Sequence, residues 1–194
     1  MRETAAVPAP GLDTLVSQVA QGDENALMAL YYATRCMVFS ISFAVTRDVQ
    51  LSEDVVQETL LKIWSHAASC RGAGGARPWI CSIARNLSID MVRRYGREMS
   101  VEEFDDQPLP EALTTREDPD ARLDLTAGLA RLNREEALAF SLRNIAGLSH
   151  LESARLMEVP YHTVRYRYRT AIEKLKVCLA ESGSVGGRYR GDEP

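Results

Sequence analysis

The sequence predicts an all-α protein made of two small helical units that a flexible linker joins. Apolar residues recur every three or four positions along most of the chain, which is the spacing of one helix face. No valine-rich segment alternates with polar residues between turns, as a strand would. An acidic stretch with Pro108 and Pro110 has no apolar stripe and separates the two helical regions.

Composition sets the boundaries of these units. Residues 1–11 and 182–194 are rich in small residues and proline, which is typical of flexible tails. We expect helical units at 12–97 and 123–181, with an acidic linker at 98–122. The hydrophobic content of 45% suffices for compact cores. No apolar run approaches the roughly 20 residues of a membrane span, and no signal-peptide block is seen, so we expect a cytoplasmic protein without membrane insertion.

The first unit contains an amphipathic helix between residues 52 and 64. We expect Ser52 to cap it and its core stripe to be Val56, Leu60 and Ile63. Another face carries the side chains of Asp54, Gln57, Glu58, Leu61 and Lys62. An acidic, amide-bearing face with one leucine suits docking onto a basic partner helix. Taken alone, such a face is also typical of a helix surface that meets only solvent.

A glycine-containing loop at residues 70–78 precedes the next predicted helix. We expect that helix to bury Ile80, Ile83, Leu87 and Met91, and to expose Arg85, Asn86, Ser88 and Arg93. The loop glycines do not complete a dinucleotide fingerprint, and no strand precedes them. A flexible loop beside Trp79 and an arginine-rich helix favours capture of single-stranded DNA. In the alternative, Trp79 fills the helical core, and the two roles are compatible.

The most informative pattern is a helix-turn-helix between Gly147 and Leu175. Ser149 and Glu152 have the spacing of a capping box. The core positions of the first helix are expected at Leu151, Ala154 and Met157. Pro160 disfavours helical geometry in the residue before it, so a second helix is expected to begin there.

That second helix is basic and aromatic on one side. Val164 and Ile172 are expected to pack inward. The outward residues are Tyr161, His162, Thr163, Arg165, Tyr166 and Arg169. Arginine and polar side chains on such a helix suit the base edges and phosphates of a DNA major groove. An amphipathic hairpin with a solvated basic face is the simpler alternative.

The net charge of −4 conceals a strong segregation of charge along the chain. The stretch from Glu98 to Asp124 has ten acidic residues against two arginines. The segments 77–97 and 161–176 on either side of it each carry a net charge of +4. Two basic surfaces separated by an acidic tether predict two DNA contacts joined by a segment that phosphate repels.

The cysteines and histidines predict neither a metal site nor a catalytic centre. No Cys-x-x-Cys spacing occurs, so we expect buried or half-buried reduced thiols at Cys36, Cys70, Cys81 and Cys178. No nucleophile elbow or phosphate-binding loop accompanies the scattered His66, His150 and His162. We therefore expect a protein that is not an enzyme and that needs no cofactor.

Three motifs occur in an order that is typical of one protein family. They are Asp54-Val-Val-Gln-Glu-Thr-Leu-Leu-Lys-Ile-Trp64, the segment that contains Pro78-Trp-Ile-Cys-Ser-Ile-Ala-Arg-Asn86, and the helix-turn-helix. Together they resemble the extracytoplasmic-function (ECF, group IV) sigma factors of bacterial RNA polymerase, over about residues 12–178. The resemblance implies a sigma-2 domain at 12–97 and a sigma-4 domain at 123–181, with the acidic linker running through the polymerase.

The resemblance also implies partners and site residues. Core RNA polymerase, with its β and β′ subunits, would bind through Asp54, Gln57, Glu58 and Leu61, which would meet the β′ coiled coil. The −10 element of promoter DNA would be captured by Cys70, Arg71, Arg77, Trp79, Arg85, Asn86, Arg93 and Arg94. The −35 element would be read by Tyr161, His162, Thr163, Arg165, Tyr166 and Arg169. An anti-sigma factor is a further candidate partner.

Three residues depart from the family pattern. Cys70 stands where members usually have Phe, next to the expected base pocket. Glu158 replaces the usual turn glycine, and His162 replaces the glycine that often precedes Thr-Val. These departures concern the base pocket and the recognition helix rather than the fold.

Two other classes share part of the pattern. A LuxR-type regulator has a C-terminal helix-turn-helix but also needs a βα receiver or sensor domain, which the helical N-terminal half does not offer. An enzyme needs converging catalytic residues, which the scattered histidines do not supply. Binding to bacterial core polymerase separates the three classes.

Overall fold

Helices make up the regular structure of the described residues. The computed structural model describes residues 10–70, 75–95 and 119–185, with the side chains of the last range described from 125 to 177. The helices are α1 (Leu12–Val19), α2 (Glu24–Thr46), α3 (Val49–His66), α4 (Ala76–Tyr95), α5 (Pro119–Ala130), α6 (Arg134–Phe140), α7 (His150–Met157) and α8 (Tyr161–Val185). A 3₁₀ turn at Ala67–Ser69 follows α3, and a π-helical turn at Ser141–Ile145 follows α6. The prediction of an all-α protein is confirmed.

Helix α3 begins earlier than its pattern predicts. Its N-cap is Asp48, whose Oδ1 accepts a hydrogen bond from Leu51 N at 2.7 Å. Ser52, which we expected to be the cap, lies inside the helix, where its buried hydroxyl is 2.9 Å from Thr46 Oγ1. The prediction for Ser52 was wrong because the Asp48 carboxylate already satisfies a free N–H of the first turn.

Helix α2 lies at the centre of the molecule. Eight consecutive residues from Met37 to Ala44 are buried, so every face of this part of the helix meets protein. Helices α1, α3 and α4 pack against α2, and so do α5, α6 and the π-helical turn. By length and composition α2 could also cross a membrane, but more than half of that apolar window is buried inside the protein. An all-round apolar helix of this kind is expected in a protein core.

Most of the predicted core positions are buried. The buried ones are Val56, Ile63, Ile80, Leu87, Met91, Ala154, Met157 and Val164, and the half-buried ones are Leu60, Ile83 and Ile172. Leu151 is 51% exposed, so its prediction was wrong. Because a helix turns by about 100° per residue, Leu151 lies about 120° around α7 from Met157.

The outcome for Ser88 is the reverse of that for Leu151. We expected it on the exposed face of α4, but it is completely buried. Its hydroxyl donates a hydrogen bond to Ala84 O at 2.7 Å, one helical turn earlier. A serine can occupy a core position in this way because the helix itself supplies the acceptor.

Helix α5 begins at Pro119, four residues before the position where we expected the second unit to start. Proline is favoured at the first position of a helix because the N–H that it lacks has no helical partner there. Most of the predicted linker and tails lie outside the described residues.

Candidate nucleic-acid interface

Helix α8 presents most of its predicted DNA-reading residues to solvent. Tyr166 is 62% exposed, Thr163 is half-buried, and the remaining members, Tyr161, His162, Arg165 and Arg169, are exposed. On the opposite side, Val164 and Ala171 are completely buried. The helix therefore has one packed face and one face that is free to enter a groove.

Two arginines of this exposed face lie over tyrosine rings. The guanidinium carbon of Arg165 is 5.9 Å from the centroid of Tyr161, and that of Arg169 is 5.9 Å from the centroid of Tyr166. Arg169 also lies 3.7 Å from Glu173. Stacking on a ring orients a guanidinium while leaving its edge N–H groups available to an acceptor.

Two residues between these arginines hold α8 in place. Tyr168 donates a hydrogen bond from its hydroxyl to Asn144 Oδ1 at 2.7 Å, and Arg167 forms an ion pair with Glu135. Arg167 is only 18% exposed, unlike the outward arginines. Inward and outward arginines thus alternate along α8 and have different partners.

The turn before α8 combines a capping box with one left-handed residue. Ser149 and Glu152 form the predicted box, with Glu152 Oε2 2.8 Å from Ser149 N, and these hydrogen bonds lower the pKa of Glu152. Helix α7 ends at Glu158, which has a φ of 57°. The resemblance implies a glycine at this position, and a side chain with a backbone in this left-handed region costs on the order of 1 kcal/mol.

His150 lies beside α8. Its ring centroid is 6.2 Å from that of Tyr161 and 5.2 Å from that of Tyr168, with the rings edge to face. Burial lowers the pKa of His150, and the positive charges of Arg143 and Arg165 lower it further. The imidazole is therefore neutral at pH 7 and adds aromatic surface rather than charge. The sequence pattern had shown it only as an isolated histidine.

The residues predicted to capture the −10 element lie in different environments. Asn86, Arg93 and Arg94 are exposed on α4. Trp79 is half-buried and packs against the core, so the alternative of a core role is compatible with the structure. Arg85 is half-buried, and its Nε has no hydrogen-bond partner among the described residues. Arg71 lies outside the described residues.

Asp13 of α1 organises the start of α4, and the sequence pattern missed it. Its Oδ1 accepts a hydrogen bond from Ala76 N at 2.7 Å across 63 positions of sequence. A Cβ on Gly75, which has a φ of 86°, would lie 2.8 Å from the same oxygen. Asp13 and Cys70 also line an open cavity of about 270 Å³. Helix caps are predicted from residues within three positions, so no local signal identifies Asp13.

The described cysteines are free thiols with different exposures. Cys81 is buried, with Sγ 3.7 Å from Met37 Sδ, and burial raises the pKa of its thiol to about 12. Cys70 is half-buried, and burial together with the Asp13 carboxylate raises its pKa. Cys36 is exposed, which corrects our expectation for it, because it lies on the solvent side of α2. Over the described residues, no three His, Cys, Asp or Glu side chains converge as metal ligands.

Helix α3 carries the predicted polymerase-binding residues on one stripe. Leu61 is 65% exposed, Gln57 is exposed, and Asp54 and Glu58 are half-buried. Their spacing of three and four positions makes them neighbours on the helix surface. The opposite side of α3 is buried in the core.

Comparison with known proteins identifies the family. Residues 30–98 match the family model of sigma-70 region 2. The ECF RNA polymerase sigma factor SigK of Mycobacterium sp. (strain JLS) is 30% identical over 182 residues, which cover 88% of this chain and 92% of that protein. This chain belongs to the ECF sigma factors. It therefore acts in the initiation of transcription.

A second sequence relative and two solved structures are also similar to this sigma factor. The ECF RNA polymerase sigma factor SigK of Mycobacterium tuberculosis (strain ATCC 25177 / H37Ra) is 28% identical over 179 residues, covering 87% of this chain and 93% of the relative. CnrH, solved in complex with the cytosolic domain of CnrY, has a TM-score of 0.57 at 22% identity and covers 88% of this chain and 99% of that chain. RpoE, solved with the anti-sigma factor NepR from Bartonella quintana, has a TM-score of 0.60 at 22% identity. The match covers 76% of this chain and 92% of that chain. These two structures share its fold.

Proposed function

We propose that this sigma factor binds core RNA polymerase through α3 and directs it to promoters through two separate DNA surfaces. Helix α8 reads the −35 element, and α4 with the loop before it captures bases of the −10 element. The observation that carries the proposal is the exposed face of α8, where Arg165 and Tyr166 point to solvent and Val164 is buried behind them. Such a helix enters a major groove with its N-terminal half deepest.

Promoter melting follows from the chemistry of α4. Extruding a base from a duplex costs a few kcal/mol, which contacts with the extruded base must offset. Trp79 offers aromatic surface for stacking, and Asn86 lies seven positions later, two turns along the same helix face. Arg93 and Arg94 at the end of α4 supply charge for the DNA backbone. With Cys70 in place of the usual Phe, less aromatic surface is available, so Trp79 and Asn86 carry more of the capture.

Polymerase binding tests the proposal most directly. Replacing both half-buried acids of the α3 face, Asp54→Arg with Glu58→Arg, places like charge against a basic partner helix. We expect loss of core-polymerase binding in a pull-down, loss of transcription from a cognate promoter, and unchanged helicity by circular dichroism. Core affinity equal to that of the wild type would contradict the assignment.

A control pair with the same change in charge separates the effect of the α3 face from the effect of net charge. Glu24 and Glu158 are both exposed and lie outside α3. Glu24→Arg with Glu158→Arg should therefore retain polymerase binding. If the control loses binding to the same extent, net charge rather than the α3 face governs association.

An anti-sigma factor is a second proposed partner. The support is that the structures of CnrH and RpoE are complexes with CnrY and with an anti-sigma factor. A protein of this class should compete with core polymerase for the chain. Simultaneous binding of both, measured by gel filtration, would contradict this proposal.

A further inference from the structure

Three aromatic rings form a continuous row beside the outward arginines of α8. The ring centroid of His150 lies 6.2 Å from that of Tyr161 and 5.2 Å from that of Tyr168, and both pairs are edge to face. Tyr161 and Tyr168 are seven positions apart, which is two turns of the helix, so they lie on the same side of α8. We call these three side chains the aromatic bracket.

The bracket is anchored at one end. The Tyr168 hydroxyl donates a hydrogen bond to Asn144 Oδ1 at 2.7 Å. Asn144 comes from the π-helical turn at Ser141–Ile145, and turns of this kind occur frequently at functional sites. Tyr168 is half-buried, whereas Tyr161 at the other end is 46% exposed. The row therefore runs from a ring that is held in place to a ring that faces solvent.

The exposed end of the bracket carries Arg165. Its guanidinium carbon lies 5.9 Å from the centroid of the Tyr161 ring, and the side chain is exposed. A freely rotating arginine loses rotamer freedom when it binds, and this loss weakens its binding. A guanidinium that is already stacked on a ring loses less. Any contact that holds the Tyr161 ring therefore also restricts Arg165.

His150 acts through its ring rather than through a hydrogen bond or a charge. Its Nδ1 is buried and has no hydrogen-bond partner among the described residues. Burial lowers its pKa, and the positive charges of Arg143 and Arg165 lower it further, so the imidazole is neutral at pH 7. A neutral ring can lie near Arg165 without repelling the guanidinium. What His150 offers to its neighbours is aromatic surface.

We propose that the aromatic bracket holds the Arg165 guanidinium in the orientation that reads a base pair of the −35 element, with His150 as the positioning residue at its centre. The proposal rests on the proposed function and deepens it, because that function assigns α8 to the −35 element. Base discrimination needs the two-pronged geometry of a guanidinium, whereas attraction to phosphate needs only its charge. Loss of the bracket therefore lowers selectivity more than it lowers affinity.

The test uses the full-length protein assembled with core polymerase, and promoters in which each −35 position is randomised in turn. His150→Ala removes the centre of the bracket. We expect the preference for the favoured base at the position read by Arg165 to fall about three- to tenfold, a factor of the size that aromatic contacts support. Affinity averaged over all bases should fall by less than about twofold, because the charge that phosphate attracts is unchanged.

A double substitution shows whether His150 acts through Arg165. In Arg165→Ala, the base preference that depends on the guanidinium is already lost, so adding His150→Ala should have no further effect on that preference. A residue that only supports the fold would instead weaken binding in both backgrounds, and to all sequences alike.

Three single variants are the controls. His150→Phe keeps an aromatic ring and lacks the unpaired Nδ1, so it should retain the base preference of the wild type. Tyr168→Phe keeps its ring but loses the hydrogen bond to Asn144, so it should lose part of the preference. Leu151→Ala changes an exposed neighbour of His150 on α7, and it should leave the preference unchanged. Thermal melts followed by circular dichroism show whether each variant is folded.

The mobility of Arg165 is measured in the free protein without DNA. NMR relaxation of its Nε–Hε group reports motion on the picosecond-to-nanosecond timescale. We expect a restrained group in the wild type and in His150→Phe, and a mobile group in His150→Ala. Equal mobility in all three proteins would overturn the proposal.

The outcomes separate this proposal from the proposed function. The proposal is overturned if His150→Ala keeps the base preference of the wild type, or if the effect of His150→Ala is as large in the Arg165→Ala background. It is also overturned if His150→Phe behaves like His150→Ala, because the ring is then not what positions Arg165. Failure of the wild type to bind core polymerase would instead overturn the proposed function, while the mobility of Arg165 in the free protein still tests the bracket.

Discussion

The two candidate DNA surfaces of this sigma factor are built in different ways. On α8, a single helix supplies both the outward residues, such as Arg165, and the buried anchor Val164. At the start of α4, three parts of the chain meet, because Asp13 caps the helix and Ala146 accepts a hydrogen bond from Arg77. The side chains of the first surface all come from one helix, whereas the second surface needs contacts from distant parts of the chain. Substitutions should therefore act locally on α8 and more widely on α4.

Alanine substitutions of Trp79 and Asn86, both on α4, should differ most in their effect on folding stability. Trp79→Ala should lower the free energy of unfolding by about 2–3 kcal/mol, less than truncation of a fully buried ring, because Trp79 is half-buried. Asn86→Ala should leave stability within about 0.5 kcal/mol, because Asn86 is exposed. Both should slow open-complex formation, measured with a fluorescent base in the −10 element.

A premelted promoter is the control for this pair. If both residues act by capturing extruded bases, a template with a preformed bubble should restore much of the lost activity. Normal melting of a fully paired promoter by Asn86→Ala would contradict its role in base capture. If the loss of promoter melting in Trp79→Ala only follows its loss of folding stability, Trp79 acts in the core alone.

Arg165 and Arg169 test whether α8 reads bases as a single helix. Arg165→Ala should cost about 1–3 kcal/mol of binding and relax the preference at one base pair of the −35 element. Arg169→Ala should weaken binding to all sequences and lower the salt slope by about one unit, as expected for a phosphate contact. A randomised −35 library, titrated at several salt concentrations, measures both effects.

The two arginines are matched controls for each other because they lie one turn apart on the same face. If both substitutions weaken binding equally across the library, Arg165 contacts phosphate. Base reading would then fall to Tyr161, His162 or Thr163.

Substitution of Glu158 should have the smallest effect of the three. It changes the backbone strain of the turn before α8 and removes no DNA contact. Glu158→Gly should raise the free energy of unfolding by about 1 kcal/mol, because glycine adopts a φ of 57° without steric cost. Glu158→Ala removes the same carboxylate but keeps the Cβ, so it should give no such gain. Chemical denaturation of both variants measures the difference. An equal gain from alanine would show that charge, rather than backbone strain, destabilises the turn.

The sequence by itself determined the all-α class, the helix-turn-helix and its outward residues. The capping box of Ser149 and Glu152 formed as predicted, and Val164 is buried as predicted. These features were predictable because capping and helix periodicity act within about four residues. The predictions for Ser52 and Leu151 were wrong over the same short distances. Asp48 caps α3 in place of Ser52, and Leu151 lies on the exposed side of α7.

Only the tertiary structure decided how the candidate −10 surface is supported and how the two helical units meet. Asp13 reaches Ala76 across 63 positions, and Arg47 reaches Leu129 across 82. The hydrogen bonds of both side chains satisfy backbone groups at helix ends, a need that any polar residue brought close by packing can meet. No local pattern specifies which distant residue that will be. The pairing of α2 with the second unit is therefore a property of the folded chain.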